Sequence, residues 1–93
     1  MTGERPGTYT VEVASPPRRA LSRLPGRVVH AIIEFISGPL AENPHRLSKP
    51  LRHQLEGLRS ARRGDYRILL RLDEEQHTIV IVDIDHRAHV YRT

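Results

Sequence analysis

The feature that most constrains the fold of this chain is a predicted β-hairpin in residues 60–72, which read SARRGDYRILLRL. Gly64 and Asp65 supply a two-residue turn, and the residues beyond it alternate between apolar and mostly basic side chains with the period of a strand. In the register that this turn sets, Arg62 faces Arg67 across the ladder, and both side chains leave the sheet on the same side. Like charges that face each other destabilise a hairpin. We therefore expect the pair either to contact an anion or to be two solvated arginines beside a turn.

Basic residues are concentrated around this hairpin. The net charge is +4 with a sequence pI near 10.3, and between residues 46 and 71 eight basic side chains stand against two acidic ones. Fourteen of the fifteen basic residues are arginine, whose planar guanidinium binds phosphate through two hydrogen bonds and keeps its proton near neutral pH. The segment therefore predicts a polyanionic partner, which is RNA, DNA or an acidic protein tail.

Composition also excludes several kinds of site. The chain has no cysteine, which removes disulfides and thiolate metal sites. The chain has only four aromatic residues and no tryptophan. This composition argues against a surface on which the bases of single-stranded nucleic acid stack. No apolar run reaches membrane-spanning length and residues 1–7 lack the apolar core of a secretory signal, so we expect no membrane contact and a cytoplasmic location.

The order of predicted elements indicates the fold class. A strand over residues 9–13 precedes a helix from Ser15 to Pro25 and a second amphipathic helix that ends or kinks at Gly38, with one further turn over 40–43. Residues 45–57 are predicted to be a connection with a short helical turn, and three strands follow over residues 58–63, 66–72 and 77–84. The chain is predicted to be a single α+β domain over residues 1–93, with residues 1–7 as a disordered tail. Its antiparallel sheet of about four strands carries two N-terminal helices on one face.

The alternation of side chains along the last predicted strand determines which residues share a face, and this decides whether a metal site is possible near His86. Val80, Val82 and Ile84 are expected on one face, and Ile79, Ile81 and Asp83 on the other. His86 and His89 follow Asp83 and Asp85 at a spacing that suits a metal ion. The alternation separates the two aspartates from His86, so we predict no metal and no other cofactor.

The C-terminal segment HRAHVYRT adds Arg87 and Tyr91, four residues apart. If this segment folds back beside the hairpin, Arg62, Arg67, Arg87 and Tyr91 form one concave patch. Such a patch suits cleavage of RNA without metal, in which the ribose 2′-hydroxyl attacks the adjacent phosphate. Guanidiniums stabilise the added charge and a side chain moves the proton. The alternative for Tyr91 is an aromatic side chain that covers the sheet.

Together these motifs resemble the RelE-type toxins of bacterial toxin-antitoxin systems, within the RelE/ParE superfamily. The resemblance runs through most of the chain and is carried by Leu24-Pro25, Asn43-Pro44, the KPL of residues 49–51, the GDYR of residues 64–67 and the HRxxVY of residues 86–91. It implies two N-terminal helices on an antiparallel sheet. It also implies metal-independent cleavage of mRNA in the ribosomal A site, and neutralisation by a partner antitoxin.

The resemblance also implies residue roles. Arg67 and Arg87 would hold the scissile phosphate, Arg62 would assist, and Tyr91 would orient or deprotonate the 2′-hydroxyl. The expected RNA-binding residues around them are Lys49, Arg52, Arg59, Arg63 and Arg71. The best-studied members of the family have two lysines on the strand before the turn, where this chain has Leu58 and Ser60. The candidates to replace them are Lys49, Arg52 and Arg59.

Two functional hypotheses follow. In the first, the chain acts on mRNA on the ribosome and is covered by a RelB-like antitoxin, an acidic and partly disordered protein that occludes Arg67 and Arg87. In the second, it is a non-catalytic basic protein that uses the same groove to bind RNA or an antitoxin, which includes the ParE-type toxins that inhibit gyrase. The HRxxVY ending favours the first.

Overall fold

The computed structural model describes residues 8–86, which form a five-stranded sheet and four helices of the predicted α+β class. The helices are α1 (Ser15–Leu21), α2 (Gly26–Ser37), α3 (Pro39–Glu42) and α4 (Pro44–Leu47). The strands are β1 (Thr10–Val13), β2 (Ser48–Pro50), β3 (Arg59–Arg63), β4 (Tyr66–Asp73) and β5 (Thr78–His86), and a 3-10 helix covers His53–Leu55. The predicted tail and the C-terminal segment lie outside the described residues.

The sheet has the strand order β1-β5-β4-β3-β2. Strands β2 to β5 pair antiparallel, whereas β1 pairs parallel with β5. The helices that follow β1 carry the chain to the far edge of the sheet, where β2 begins. Strand β2 corrects the sequence prediction, which took this segment for a connection. Its three residues, Ser48–Pro50, include a proline and give no apolar alternation, so pairing with β3 is what makes them a strand.

The core lies between the helices and one face of the sheet. Helix α2 contributes Ile32 and Ile36, in the three- and four-residue spacing that the sequence predicted, and α3 adds Leu40. The sheet contributes fully buried side chains of β4 and β5, which are Ile68, Leu70, Ile79 and Ile81. Because this face is sealed by helices, the side chains that alternate with the core residues of β3 and β4 point to the opposite face.

A β-bulge in β5 corrects the predicted faces of that strand. Leu69 pairs with Asp83, whereas the next residue, Leu70, pairs with Ile81, so that Val82 is left between them. One extra residue reverses the alternation of everything beyond it. Ile84 is therefore buried on the same face as Ile81, and the prediction that grouped it with Val80 and Val82 was wrong. Asp83 and Asp85 consequently share the face turned away from the helices.

Gly38 separates α2 from α3 and provides a test of this packing. A Cβ at this position would stand 2.8 Å from the carbonyl oxygen of Glu34, and the Gly38 amide donates a hydrogen bond to that same oxygen at 3.0 Å. We expect Gly38→Ala to lower the free energy of unfolding by about 1–3 kcal/mol, because a methyl group is forced against backbone. Urea denaturation measures this change.

Gly26→Ala is the matched control, because nothing lies within 4 Å of a Cβ added at this first residue of α2. It should leave the unfolding free energy unchanged or raise it slightly, since alanine restricts the unfolded chain more than glycine does. Equal denaturation midpoints for the two variants would contradict the close approach at Gly38.

Candidate functional site

A groove of about 620 Å³ lies beside β2, β3 and β4 and is also lined by Arg46 and Leu47 of α4. Four of its lining residues are basic, Arg46, Lys49, Arg62 and Arg67, and three are apolar, Leu47, Pro50 and Leu51. Ser60 and Ala61 of β3 complete the lining. The groove therefore combines four cationic side chains with apolar residues, an arrangement that suits an anionic ligand.

The register of the sheet brings these cations together. Arg62 pairs with Arg67 across the β3–β4 ladder, as the hairpin predicted, and Lys49 pairs with Ser60 across β2 and β3. Side chains of directly paired residues lie on the same face about 5 Å apart at Cβ. Lys49 thus contributes its charge beside Ser60, one of the two positions where the family resemblance led us to expect lysine. Of the three candidates to replace it, Lys49 is the one that lines the groove.

Arg67 is half-buried, and Ser60 holds its side chain. The Arg67 Nε donates a hydrogen bond to the Ser60 Oγ at 2.9 Å. Arg62, by contrast, is exposed. The two arginines therefore differ in their surroundings, since the Arg67 guanidinium has a hydrogen-bond partner in the groove and Arg62 is exposed to solvent.

Strand β5 borders the groove on the side of Arg67. Asp85 is the register partner of Arg67, and its carboxylate accepts a hydrogen bond from the amide of His86 at 2.8 Å. The ring of His86 packs edge-on against Tyr66, with centroids 5.1 Å apart. His86, the last described residue of β5, lies next to Tyr66 at the start of β4. Arg87 and Tyr91, the other two residues of the predicted catalytic set, lie outside the described residues.

The remaining predicted RNA-binding residues are distributed over different surfaces. Arg71 lies on the same face of β4 as Arg67 but outside the groove lining, and Arg52 is exposed in the connection after β2. Arg63 lies on the helix side, where it lines a separate pocket with Phe35. Arg59 also lies on the helix side, and its guanidinium donates to Ser48 Oγ at 2.7 Å and to the Ser48 carbonyl at 2.9 Å. Arg59 therefore joins β3 to β2.

Several residues that line the groove were given no role by the sequence. Ser60 was noted only as a missing lysine, Arg46 was counted in the basic segment without a role, and the apolar residues of the lining were not foreseen. A strand prediction for β2 would have placed Lys49 opposite Ser60. The short, proline-containing segment offered no signal for that strand.

The comparisons with known proteins identify the family of the chain. The family profile described as the ParE toxin of the type II toxin-antitoxin system parDE matches residues 16–91. The chain belongs to this toxin family. Toxin RelG of Mycobacterium tuberculosis is 50% identical over 84 residues, covering 90% of this chain and 97% of that protein. Toxin RelE of the same organism is 49% identical over 84 residues, covering 90% of this chain and 87% of that protein.

A solved structure matches the toxin along nearly its whole length. The crystal structure of the toxin-antitoxin complex RelBE2 from Mycobacterium tuberculosis matches with a TM-score of 0.85 and 47% sequence identity, covering 91% of this chain and 98% of that chain. The toxin is thus a RelE-type member of the RelE/ParE superfamily, as its motifs predicted. Within residues 8–86, no three histidine, aspartate or glutamate side chains are arranged to hold a metal ion, and no helix is long and apolar enough to cross a membrane.

Helix α4, which contributes Arg46 and Leu47 to the groove, is attached to the rest of the toxin by a polar cluster. The Glu74 carboxylate accepts a hydrogen bond from the Tyr9 hydroxyl at 2.7 Å and contacts the His45 Nε2 at 2.8 Å. Tyr9 is also stacked on His77, with ring centroids 3.8 Å apart. The Tyr9 hydrogen bond is the main cause of a lowered pKa of Glu74, and His45 lowers it further. The same hydrogen bond, together with burial, raises the pKa of Tyr9.

This cluster predicts a loss of stability in acid. A carboxylate whose pKa is lower in the folded than in the unfolded state stabilises the fold above its ordinary pKa of 4.5. That contribution disappears as the pH falls through the folded pKa. We expect Glu74→Gln to remove this dependence, because the amide does not titrate. The stability difference between the wild-type toxin and this variant should therefore shrink below about pH 4.5, as measured by urea denaturation across a pH series.

Tyr9→Phe is the matched variant for the same test, because it removes the hydroxyl and keeps the ring on His77. It should reduce the acid-dependent part of the stability without abolishing it, since His45 still contacts Glu74. Stability curves that stay parallel for the wild-type toxin and Glu74→Gln from pH 7 down to about pH 3 would contradict the proposed linkage.

Proposed function

We propose that this toxin is an endoribonuclease that cleaves mRNA without a metal cofactor, with the groove as its phosphate-binding site. The observation that carries the proposal is the directly opposed pair Arg62 and Arg67, with Arg67 fixed by Ser60. Like charges at paired positions weaken a sheet by a few tenths of a kcal/mol to about 1 kcal/mol. A bound phosphate would neutralise both.

The chemistry needs a site for the scissile phosphate and a group that moves a proton. The 2′-hydroxyl loses its proton as its oxygen attacks phosphorus, the bond to the 5′-oxygen breaks, and the 5′-oxygen takes up a proton. The products are a 2′,3′-cyclic phosphate and a 5′-hydroxyl. Arg67 would hold the phosphate and stabilise the extra negative charge of the transition state, with Arg62 in support. By resemblance to the family, Arg87 would be the second phosphate ligand. Tyr91 would orient or deprotonate the 2′-hydroxyl.

The position of the last described strand residue supports that assignment. His86 pairs with Tyr66, the residue before Arg67, and Arg87 is the next residue in the sequence after His86. The chain therefore reaches the end of β5 beside the groove arginine that the proposal places on the phosphate.

The lining of the groove supports a ribosome-bound message as the substrate. The described aromatic residues are Tyr9, Phe35 and Tyr66, and none of them lines the groove, so its contacts to RNA would be mainly ionic. Ionic contacts to phosphates carry no sequence information. A message held in the ribosomal A site, in the cytoplasm, would present its codon already unpaired and positioned.

We further propose an antitoxin partner that covers the same groove. The RelBE2 structure from Mycobacterium tuberculosis is a toxin-antitoxin complex, and the basic and apolar residues that line the groove suit an acidic, amphipathic segment that folds on binding. Such a segment would occlude Arg62 and Arg67.

Replacing the groove arginines tests the catalytic proposal. Arg67→Ala should lower the cleavage rate about 10²- to 10³-fold, because it removes the fixed donor to the transition state, and Arg62→Ala should cost less. Lys49→Ala should raise KM more than it lowers kcat, since an exposed ammonium binds the phosphate backbone uniformly. Primer extension on programmed ribosomes measures the cleavage.

Arg27→Ala is the matched control, because Arg27 is an exposed arginine on α2, on the opposite side of the sheet from the groove. It should cleave at the wild-type rate. If the wild-type toxin arrests growth while messages stay intact, the catalytic proposal is wrong and a ParE-type inhibition of gyrase becomes the better account.

Binding of the antitoxin should depend on the same charges. The double variant Arg62→Ala/Arg67→Ala should bind an acidic antitoxin more weakly than the wild-type toxin and with a smaller dependence on salt, because fewer ion pairs form. Titration calorimetry at two salt concentrations measures both quantities, with Arg27→Ala as the control. An affinity unchanged in the double variant would place the antitoxin on another surface.

A further inference from the structure

Ser60 occupies the floor of the groove between two basic side chains. It is paired with Lys49 on one side and with Leu69 on the other, so Arg67 is its diagonal neighbour and not its direct partner. The 2.9 Å hydrogen bond from the Arg67 Nε to the Ser60 Oγ therefore draws the guanidinium across β3. This direction leads into the groove and away from β5, where the register partner of Arg67 is Asp85.

We propose that Ser60 is a positioning residue, which fixes the Arg67 guanidinium so that its two terminal amino groups face the scissile phosphate. A guanidinium has five N–H donors in a rigid plane. The Ser60 Oγ takes the single donor on Nε, which leaves the four on the terminal nitrogens. Two of these are parallel and match two phosphate oxygens. This inference rests on the proposed ribonuclease function.

A second consequence concerns the charge at position 60. The resemblance to the family leads one to expect lysine here, but an ammonium in place of the hydroxyl would face the Arg67 Nε with a like charge and no acceptor. The groove instead carries its additional cation on β2, at Lys49, which is paired with Ser60 and lines the same groove. Ser60 thus orients Arg67, and Lys49 supplies the additional positive charge.

Three substitutions at this position test the inference in the ribosome cleavage assay. Ser60→Ala should lower kcat about 10- to 100-fold, the cost of a misplaced catalytic group, while KM stays within about twofold because Lys49 and Arg62 still bind phosphate. Ser60→Thr keeps the hydroxyl and should restore most of the activity. Ser60→Lys should lower kcat as well, although it restores the residue that the family pattern expects.

Two controls separate positioning from a general structural effect. Ser37→Ala removes an exposed hydroxyl that donates to the Ile33 carbonyl within α2, and it should leave kcat unchanged. In an Arg67→Lys background, Ser60→Ala should cause no further loss, because lysine has no Nε–H for the serine to accept. An equal loss in both backgrounds would overturn the positioning role.

A measurement that does not depend on cleavage activity completes the test. The Nε–H proton of Arg67, followed by NMR in ¹⁵N-labelled full-length toxin, should exchange slowly with solvent in the wild type. It should exchange faster in Ser60→Ala, because the hydrogen bond to Ser60 protects it. Unchanged exchange, or wild-type kcat in Ser60→Ala, would refute the inference while leaving the ribonuclease proposal intact. A wild-type toxin that cleaves no ribosome-bound message would instead refute the ribonuclease proposal, and the inference with it.

Discussion

The pairing of β3 with β4 over a buried face is the constraint on which the rest of the structure depends. Ala61 and Ile68 are direct partners and are buried beneath the helices, so a shift of one residue would expose them and bury arginine instead. Burial of an isoleucine side chain is worth about 1.5–3 kcal/mol, whereas an unpaired buried charge costs several times more. The apolar face therefore determines the side on which Arg62 and Arg67 emerge.

The groove is built by attaching a short strand and a helix to this hairpin. Arg59 binds β2 to β3 through Ser48, and Glu74 connects α4 to the start of β1 through His45 and Tyr9. Arg62 and Lys49 take no part in these structural contacts. Both are exposed and are available to a ligand. Arginines in one basic segment thus divide into structural and candidate functional groups according to the face of the strand that carries them.

The paired cations of the groove lower the stability of the sheet but provide the charge that an anionic ligand needs. Pairing Arg62 with Arg67, beside Lys49, collects charge that the fold alone does not need. The Ser60 hydrogen bond gives one of these guanidiniums a partner within the protein, while an anionic ligand would neutralise the charge. The same charge that would bind a phosphate would bind an acidic antitoxin, so one groove serves the proposed activity and its proposed inhibition.

Local patterns in the sequence determined the β3–β4 hairpin with its Arg62–Arg67 register, the apolar stripe of α2 and the family to which the toxin belongs. Each of these depends on residues close together in the chain or on a motif. Only the tertiary structure decided that Ser48–Pro50 forms a strand, that the bulge at Val82 returns Ile84 to the core, and that Arg59 is structural. It also decided that Ser60 holds Arg67. These features come from pairing between strands, where the partner and not the local sequence selects the conformation, and no period within one strand reveals that partner.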